Sequence, residues 1–152
     1  MKRSVFSLFS LLIVAALSCA DNSGDKPSGK RVVTLGNTPA SRPYSPAVEA
    51  GNLLFVSGQI AVDPETGKLI EGDIEEQTRQ VLKNLVRVIE AAGYNKENVV
   101  KCTVLMTDIA HYQIMNKIYM EFFPSDQPAR AAYAVKDLPM GALIEIEAVA
   151  VR

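Results

Sequence analysis

The sequence contains few of the residues that build metal centres. Its 152 residues include one histidine, two cysteines and no tryptophan. Because Cys19, Cys102 and His111 are widely separated, they do not match the spacing of a typical zinc site. We therefore expect no metal centre of this kind.

The chain also lacks an excess of basic charge. Its formal net charge is -1, and no block rich in lysine and arginine follows the first few residues. Proteins that bind nucleic acid usually carry such a block, so the composition argues against a nucleic-acid partner. A hydrophobic content of 48% in a chain of this length instead indicates one compact globular domain.

The first 18 residues have the pattern of a signal peptide. Lys2 and Arg3 form a basic start, and an apolar run follows at 5–17. This run is shorter than the roughly 20 apolar residues that span a bilayer as a helix. The pattern predicts an exported protein, with residues 1–18 removed.

The cleavage region allows two outcomes. A cut before Cys19 would resemble bacterial lipoprotein processing, in which the cysteine thiol is lipidated, whereas a cut after Ala20 would be ordinary secretion. We favour lipidation of Cys19, because a cysteine directly after small residues has no other evident purpose there. Residues 19–30 are then the lipidated cysteine and a flexible tether to a periplasmic or outer-membrane anchor, and residues 31–152 form the domain.

The pattern of the domain predicts strands and two helices. Asp73 and Glu76 have the spacing of a capping box, and an apolar stripe with helical spacing follows them. Asp108 caps a second helix, which Pro124 ends. The order β-β-β-α-β-α-β-β predicts an α+β sheet with two helices on one face. We expect neighbouring subunits to cover the other face.

The last strand carries charge among apolar residues. Alternation along 143–151 places Glu145 and Glu147 on one face, where carboxylates are costly unless water or a cation reaches them. The nearest candidate cation is Arg130, which we expect on a neighbouring strand. An arginine beside a carboxylate is a plausible site for a small carboxylate-bearing substrate, although a structural salt bridge between Arg130 and Glu145 has the same pattern.

Short segments that occur in a fixed order carry a family resemblance. Together they make the chain from about Thr34 to Arg152 resemble the reactive-intermediate deaminases, the YjgF-like (RidA) imine and enamine deaminases. The segments are 36–40 (GNTPA), 43–45 (PYS), 55–60 (FVSGQI), 64–67 (PETG), 91–93 (AAG), 99–104 (VVKCTV), 116–123, 128–130 (PAR) and 144–150 (IEIEAVA).

The resemblance implies a fold, a reaction and a site. The fold is chorismate-mutase-like and forms a homotrimer with three clefts between subunits. The reaction is hydrolysis of 2-aminoacrylate, 2-iminopropanoate and related compounds to 2-oxo acids and ammonia, without metal or cofactor. The resemblance further implies that Arg130 holds the substrate carboxylate and that Glu145 orients or activates water. The remaining residues implied to line the cleft are Tyr44, Ser57, Gly58 and Asn116.

Two features depart from the family and two other functions stay open. Ala132 replaces a cysteine that many members carry, and the archetype works in the cytosol rather than after export. The same clefts could bind a small carboxylate metabolite without turnover, and ribonuclease activity is a third, weaker reading. The pKa of Glu145 is also open, since Arg130 would lower it and desolvation would raise it.

Overall fold

The computed structural model describes residues 29–36 and 42–152. The predicted signal peptide, Cys19 and the tether up to residue 28 lie outside these ranges. Lys30, the last residue of the predicted tether, begins the first strand. None of the helices in the described ranges is both long and apolar enough to cross a membrane.

The described ranges form six strands and two α-helices, in the order that the sequence predicts. One α-helix lies between the third and fourth strands of the chain, and the other lies between the fourth and fifth. The bounds are β1 Lys30–Val33, β2 Ala47–Ala50, β3 Leu53–Gln59, α1 Ile74–Ala91, β4 Val99–Met106, α2 Tyr112–Phe122, β5 Ala129–Ala134 and β6 Ile144–Val151.

The strands form one mixed sheet in the order β1-β2-β3-β6-β4-β5. β4 and β5 are parallel and the remaining pairs are antiparallel. β6 therefore lies in the middle of the sheet, and β5 lies at an edge. Strands β5 and β6 follow one another in the chain, yet β4 separates them in the sheet.

Local signals fix the start of α1. The Asp73 side chain accepts hydrogen bonds from the backbone N–H groups of Glu75 and Glu76, while the Glu76 carboxylate accepts from the Asp73 N–H. This reciprocal pair is the predicted capping box. Asp108 likewise accepts from the Ala110 N–H, but it caps a short 3-10 turn at Ile109–His111 that leads into α2.

The core lies between the two helices and one face of the sheet. Alternate residues of β6 are buried there, and Cys102 and Val104 of β4 lie beside them. The opposite face, which we call the open face, presents Val32, Phe55 and Tyr133, each about half exposed. An α+β sheet with both helices on one face is what the sequence predicts, and the prediction is confirmed.

Candidate active site

Arg130 is held against α2 at the edge of the sheet. It lies opposite Cys102 in the β4–β5 register, and its side chain points toward the helix-covered face. There its Nη2 group donates to Asn116 Oδ1, and its Nη1 group contacts Met115 Sδ at 3.7 Å. The guanidinium is therefore fixed by residues one turn or less apart on a single helix.

Two tyrosine rings complete the surroundings of the guanidinium. The Arg130 Cζ lies 4.5 Å from the ring centre of Tyr119 and 5.8 Å from that of Tyr112. The Tyr119 ring packs in turn on Phe123, with ring centres 4.8 Å apart. Cation–π contact with a buried ring holds an arginine in place without using its N–H donors.

An open cavity of about 710 Å³ adjoins this arginine. It lies between the exposed side of α2 and the chain entering β5. Its walls contain both polar and apolar side chains, and they include the two cations Lys117 and Arg130. A cavity lined by an arginine and several other polar side chains can bind a small organic acid. The lining residues are Gln113, Asn116, Lys117, Tyr119, Met120, Gln127, Pro128 and Arg130.

Glu145 belongs to a second cluster, on the open face. Between Val56 and Gln59 the pairing of β3 with β6 shifts by one residue, which is a β-bulge at Ser57 and Gly58. A β-carbon at Gly58 would lie 1.8 Å from Glu145 Oε1, so the carboxylate occupies space that a side chain would otherwise fill. β-Bulges often orient the residues of an active site, and the bulge at Ser57 and Gly58 makes room for the Glu145 side chain.

Burial raises the pKa of Glu145, and the negative charge of Glu147 raises it further. Glu145 is half-buried, whereas Glu147 is exposed on the same face of β6. The sequence leaves open whether Arg130 or desolvation decides the direction in which the pKa of Glu145 shifts. In the single chain, desolvation has the larger effect. A carboxyl group with a raised pKa binds and releases protons closer to neutral pH, which suits a general acid and base.

Ser57 acts on the loop that carries Tyr44. Its hydroxyl donates to the Ser45 carbonyl at 2.7 Å, and its backbone N–H donates to the Pro46 carbonyl at 3.0 Å. The Tyr44 side chain itself is 56% exposed. Ser57 therefore fixes the segment next to Tyr44, and its hydroxyl is already engaged within the protein.

The expected contact between Arg130 and Glu145 is absent from the single chain. The expectation that they lie on neighbouring strands is wrong, because β4 separates β5 from β6. The register also places Glu145 opposite Leu105 and Arg130 opposite Cys102, on opposite faces of the sheet. The predicted residues thus form two groups: Arg130 with Asn116 on the helix side, and Glu145 with Gly58 on the open face.

Three residues of the site, Tyr112, Met115 and Tyr119, are not predicted from the sequence. All three belong to the apolar stripe of α2, which by itself predicts core residues. The available signal is the spacing of Tyr112, Asn116 and Tyr119 at i, i+4 and i+7, which places them along one side of the helix. Within the described ranges, no group of three or more histidine, cysteine or acidic residues could hold a metal ion.

A comparison with protein families decides the affiliation of the chain. The model of the family described as Endoribonuclease L-PSP matches residues 35–152. The chain belongs to this family. The match includes both groups of candidate site residues.

Relatives of this chain include proteins that are named as deaminases. The human 2-iminobutanoate/2-iminopropanoate deaminase is 46% identical over 124 residues, covering 81% of this chain and 90% of the human protein. A RutC family protein of Pyrococcus horikoshii is 48% identical over 122 residues, covering 80% and 97% of the two chains. The resemblance to the reactive-intermediate deaminases is confirmed.

Solved structures share the fold. The crystal structure of the YjgF gene product of E. coli superimposes with a TM-score of 0.75 at 39% sequence identity. The alignment covers 80% of this chain and 98% of that chain. The chain thus shares its architecture with this YjgF protein over the part that the structure describes.

Proposed function

We propose that this protein hydrolyses small 2-imino acids and their enamine tautomers to 2-oxo acids and ammonia. The observation that carries the proposal is the Arg130 guanidinium, fixed by Asn116 and Tyr119 beside an open cavity. It occurs in a chain 46% identical to a human protein named 2-iminobutanoate/2-iminopropanoate deaminase. A fixed guanidinium is suited to a carboxylate, which these substrates all carry.

In the proposed reaction Arg130 positions the substrate and Glu145 moves protons. Arg130 binds the carboxylate, which places the neighbouring C=N carbon for attack by a held water. Glu145, as the carboxylate, takes a proton from the water as its oxygen bonds to that carbon. Addition of this water to the imine, protonated at its nitrogen, gives a carbinolamine. The same group returns the proton to the nitrogen and takes up the hydroxyl proton of the carbinolamine as the C–N bond breaks, the C=O bond forms and ammonia leaves.

The geometry of the single chain favours a site built from two copies. Arg130 and Glu145 lie on opposite faces of one sheet, so they meet only if the open face of one copy packs beside α2 of another. We propose a homotrimer with three such clefts, as the family resemblance implies. The half-exposed Val32, Phe55 and Tyr133 on the open face support this, because burying apolar surface drives subunit association.

The first test compares the wild type with Arg130→Ala and Arg130→Lys in the chain from residue 29 onward. An amino-acid oxidase supplies 2-imino acids, and the loss of imine and release of ammonia are followed. We expect wild-type acceleration, loss in Arg130→Ala, and a raised KM in Arg130→Lys, since an ammonium lacks the planar fork of donors. Each variant is checked for its assembly state.

Other outcomes of this test select other functions. Binding of 2-oxo acids without turnover, abolished in Arg130→Ala, would instead make the protein a carboxylate-binding module. The description of the family also names an endoribonuclease, so an RNA substrate is included in parallel. We propose deamination over RNA cleavage because the net charge is -1. RNA cleavage that disappears in Arg130→Ala would reverse this choice.

We further propose that the protein is exported and anchored through a lipid on Cys19. The support is the sequence pattern alone: a basic start, the apolar run at 5–17 and a cysteine after small residues. The test expresses the full chain and its Cys19→Ser variant in a bacterium with a labelled fatty acid. Label on the wild type alone supports lipidation, whereas an unlabelled chain that starts at Asp21 would indicate ordinary secretion.

A further inference from the structure

The Nη2 group of Arg130 already has partners where a carboxylate would bind. Its Nη2 group donates to Asn116 Oδ1 and lies 3.5 Å from the Tyr112 hydroxyl oxygen. A guanidinium binds a carboxylate through two parallel N–H groups along one edge. Arginine has two such edges, one formed by Nε and Nη2 and the other by Nη1 and Nη2, so Nη2 belongs to both. Nη2 has two hydrogens, and both have partners.

The contact with Tyr112 is the weaker of the two. At 3.5 Å it is at the limit of a hydrogen bond, whereas the Asn116 contact is short. An incoming carboxylate therefore takes the Nη2 hydrogen that faces Tyr112. The carboxylate oxygen then lies beside the Tyr112 hydroxyl.

The hydroxyl proton of Tyr112 is suited to that oxygen. Because arginine only donates, it fixes the Asn116 carbonyl toward itself and leaves the Asn116 amide N–H for the Tyr112 oxygen. Hydrogen bonds from Asn116, and then from Arg130, lower the pKa of Tyr112. Both neighbours thus act as donors to the Tyr112 oxygen, and its own proton is available for a ligand.

We propose that Tyr112 is a substrate-binding residue that donates its hydroxyl proton to the carboxylate held by Arg130. The proposal rests on the proposed function and adds a third donor to its carboxylate site, from α2. The carboxylate keeps its charge throughout the reaction, so this hydrogen bond is equal in the ground state and the transition state. Loss of such a bond raises KM and leaves kcat unchanged.

The variant Tyr112→Phe isolates the hydroxyl. It keeps the ring, whose centre is 5.8 Å from the Arg130 Cζ, and removes the oxygen alone. A hydrogen bond to a charged group is worth roughly tenfold or more in binding, so we expect KM for 2-iminopropanoate to rise about tenfold. The matched control is Tyr94→Phe, which removes the hydroxyl of a buried tyrosine that packs against Arg152.

The kinetic outcomes separate this proposal from the proposed function. A wild-type KM in Tyr112→Phe would overturn the role of Tyr112 and leave the deaminase assignment standing. A fall in kcat at unchanged KM would also overturn it, because the hydroxyl would then act in the chemical step. A raised KM with unchanged kcat, absent from Tyr94→Phe, supports it.

A binding measurement covers the case in which the wild type shows no turnover. The Kd of 2-oxobutanoate, a carboxylate of the product class, is measured by calorimetry for the wild type, Tyr112→Phe and Arg130→Ala. An affinity about tenfold weaker in Tyr112→Phe, and lost in Arg130→Ala, supports the three-donor site even if the deaminase assignment fails. Equal affinities in the wild type and Tyr112→Phe, or no wild-type binding, would overturn it.

Discussion

Gly58 has no side chain, and the Glu145 carboxylate occupies the space that a side chain at this position would fill. A β-carbon at this position would lie 1.8 Å from Glu145 Oε1 and 2.7 Å from its Cδ. Both distances are far inside van der Waals contact, so the glycine on β3 and the acid on β6 form a matched pair. The β-bulge in β3 brings the backbone of Gly58 to this position.

Replacing Gly58 with alanine should therefore displace the Glu145 side chain and leave the sheet in place. We expect Gly58→Ala to lower kcat about 10²-fold, the scale of losing a positioned general base, with the assembly state unchanged. The control is Gly29→Ala, since a β-carbon at Gly29 meets nothing within 4 Å. Full activity in Gly58→Ala would show that the position of Glu145 does not matter for turnover.

The pH dependence of activity should respond to Glu147. Burial raises the pKa of Glu145 above its ordinary value of 4.5, and Glu147 adds to the shift by repulsion. A general base must be ionised, so activity should fall on the acid side around this raised pKa. Glu147→Gln removes the repulsion, lowers the pKa of Glu145 and moves the acid limb of kcat/KM to lower pH.

The measurement is the full pH profile of kcat/KM for the wild type and Glu147→Gln. Glu97→Gln is the control, because Glu97 lies in the turn before β4 and is largely exposed. An acid limb that stays in place in Glu147→Gln, or moves to higher pH, would contradict the assignment of that limb to Glu145.

Stability should depend on pH through Glu49. This buried carboxylate on β2 accepts hydrogen bonds from Arg31 and Arg152. The Arg31 hydrogen bond holds its pKa below the ordinary value of 4.5, against the opposing effect of burial. A depressed pKa stabilises the fold above pH 4.5, and this contribution is lost as the pH falls below 4.5 through the pKa of the folded state.

Thermal unfolding at a series of pH values tests this role of Glu49. We expect Glu49→Gln to have a lower Tm than the wild type at pH 7, because two arginines lose their partner. The two Tm values should converge as the pH falls below 4.5. Parallel Tm curves down to pH 3 would show that Glu49 ionisation does not contribute.

Sequence reasoning succeeds here where the signal is local. The capping box of Asp73 and Glu76 depends on neighbouring residues, and it occurs as predicted. The adjacency of Arg130 and Glu145 depends on strand order instead. Nothing in the chain between β5 and β6 indicates that β4 lies between them, because that order is set by packing across the whole sheet.

The role of Tyr112 shows a second limit of the sequence. Its place in the apolar stripe of α2 predicts that the tyrosine ring packs in the core, and the ring does pack there. The stripe does not predict where the hydroxyl group lies. Gly58 differs, since a glycine inside a strand is a known sign of a bulge or a close approach. That signal was present, although the residue that approaches Gly58 could be found only in three dimensions.

In the proposed trimer, the placement of Arg130 and Glu145 on opposite faces of the sheet allows two inactive variants to complement one another. Chains with Arg130→Ala keep an intact Glu145, and chains with Glu145→Gln keep an intact Arg130. In a mixed ring of three, one of the three clefts receives both intact residues. Unfolding the two inactive variants and refolding them together should restore activity that neither has alone, whereas a site contained within one chain would stay silent.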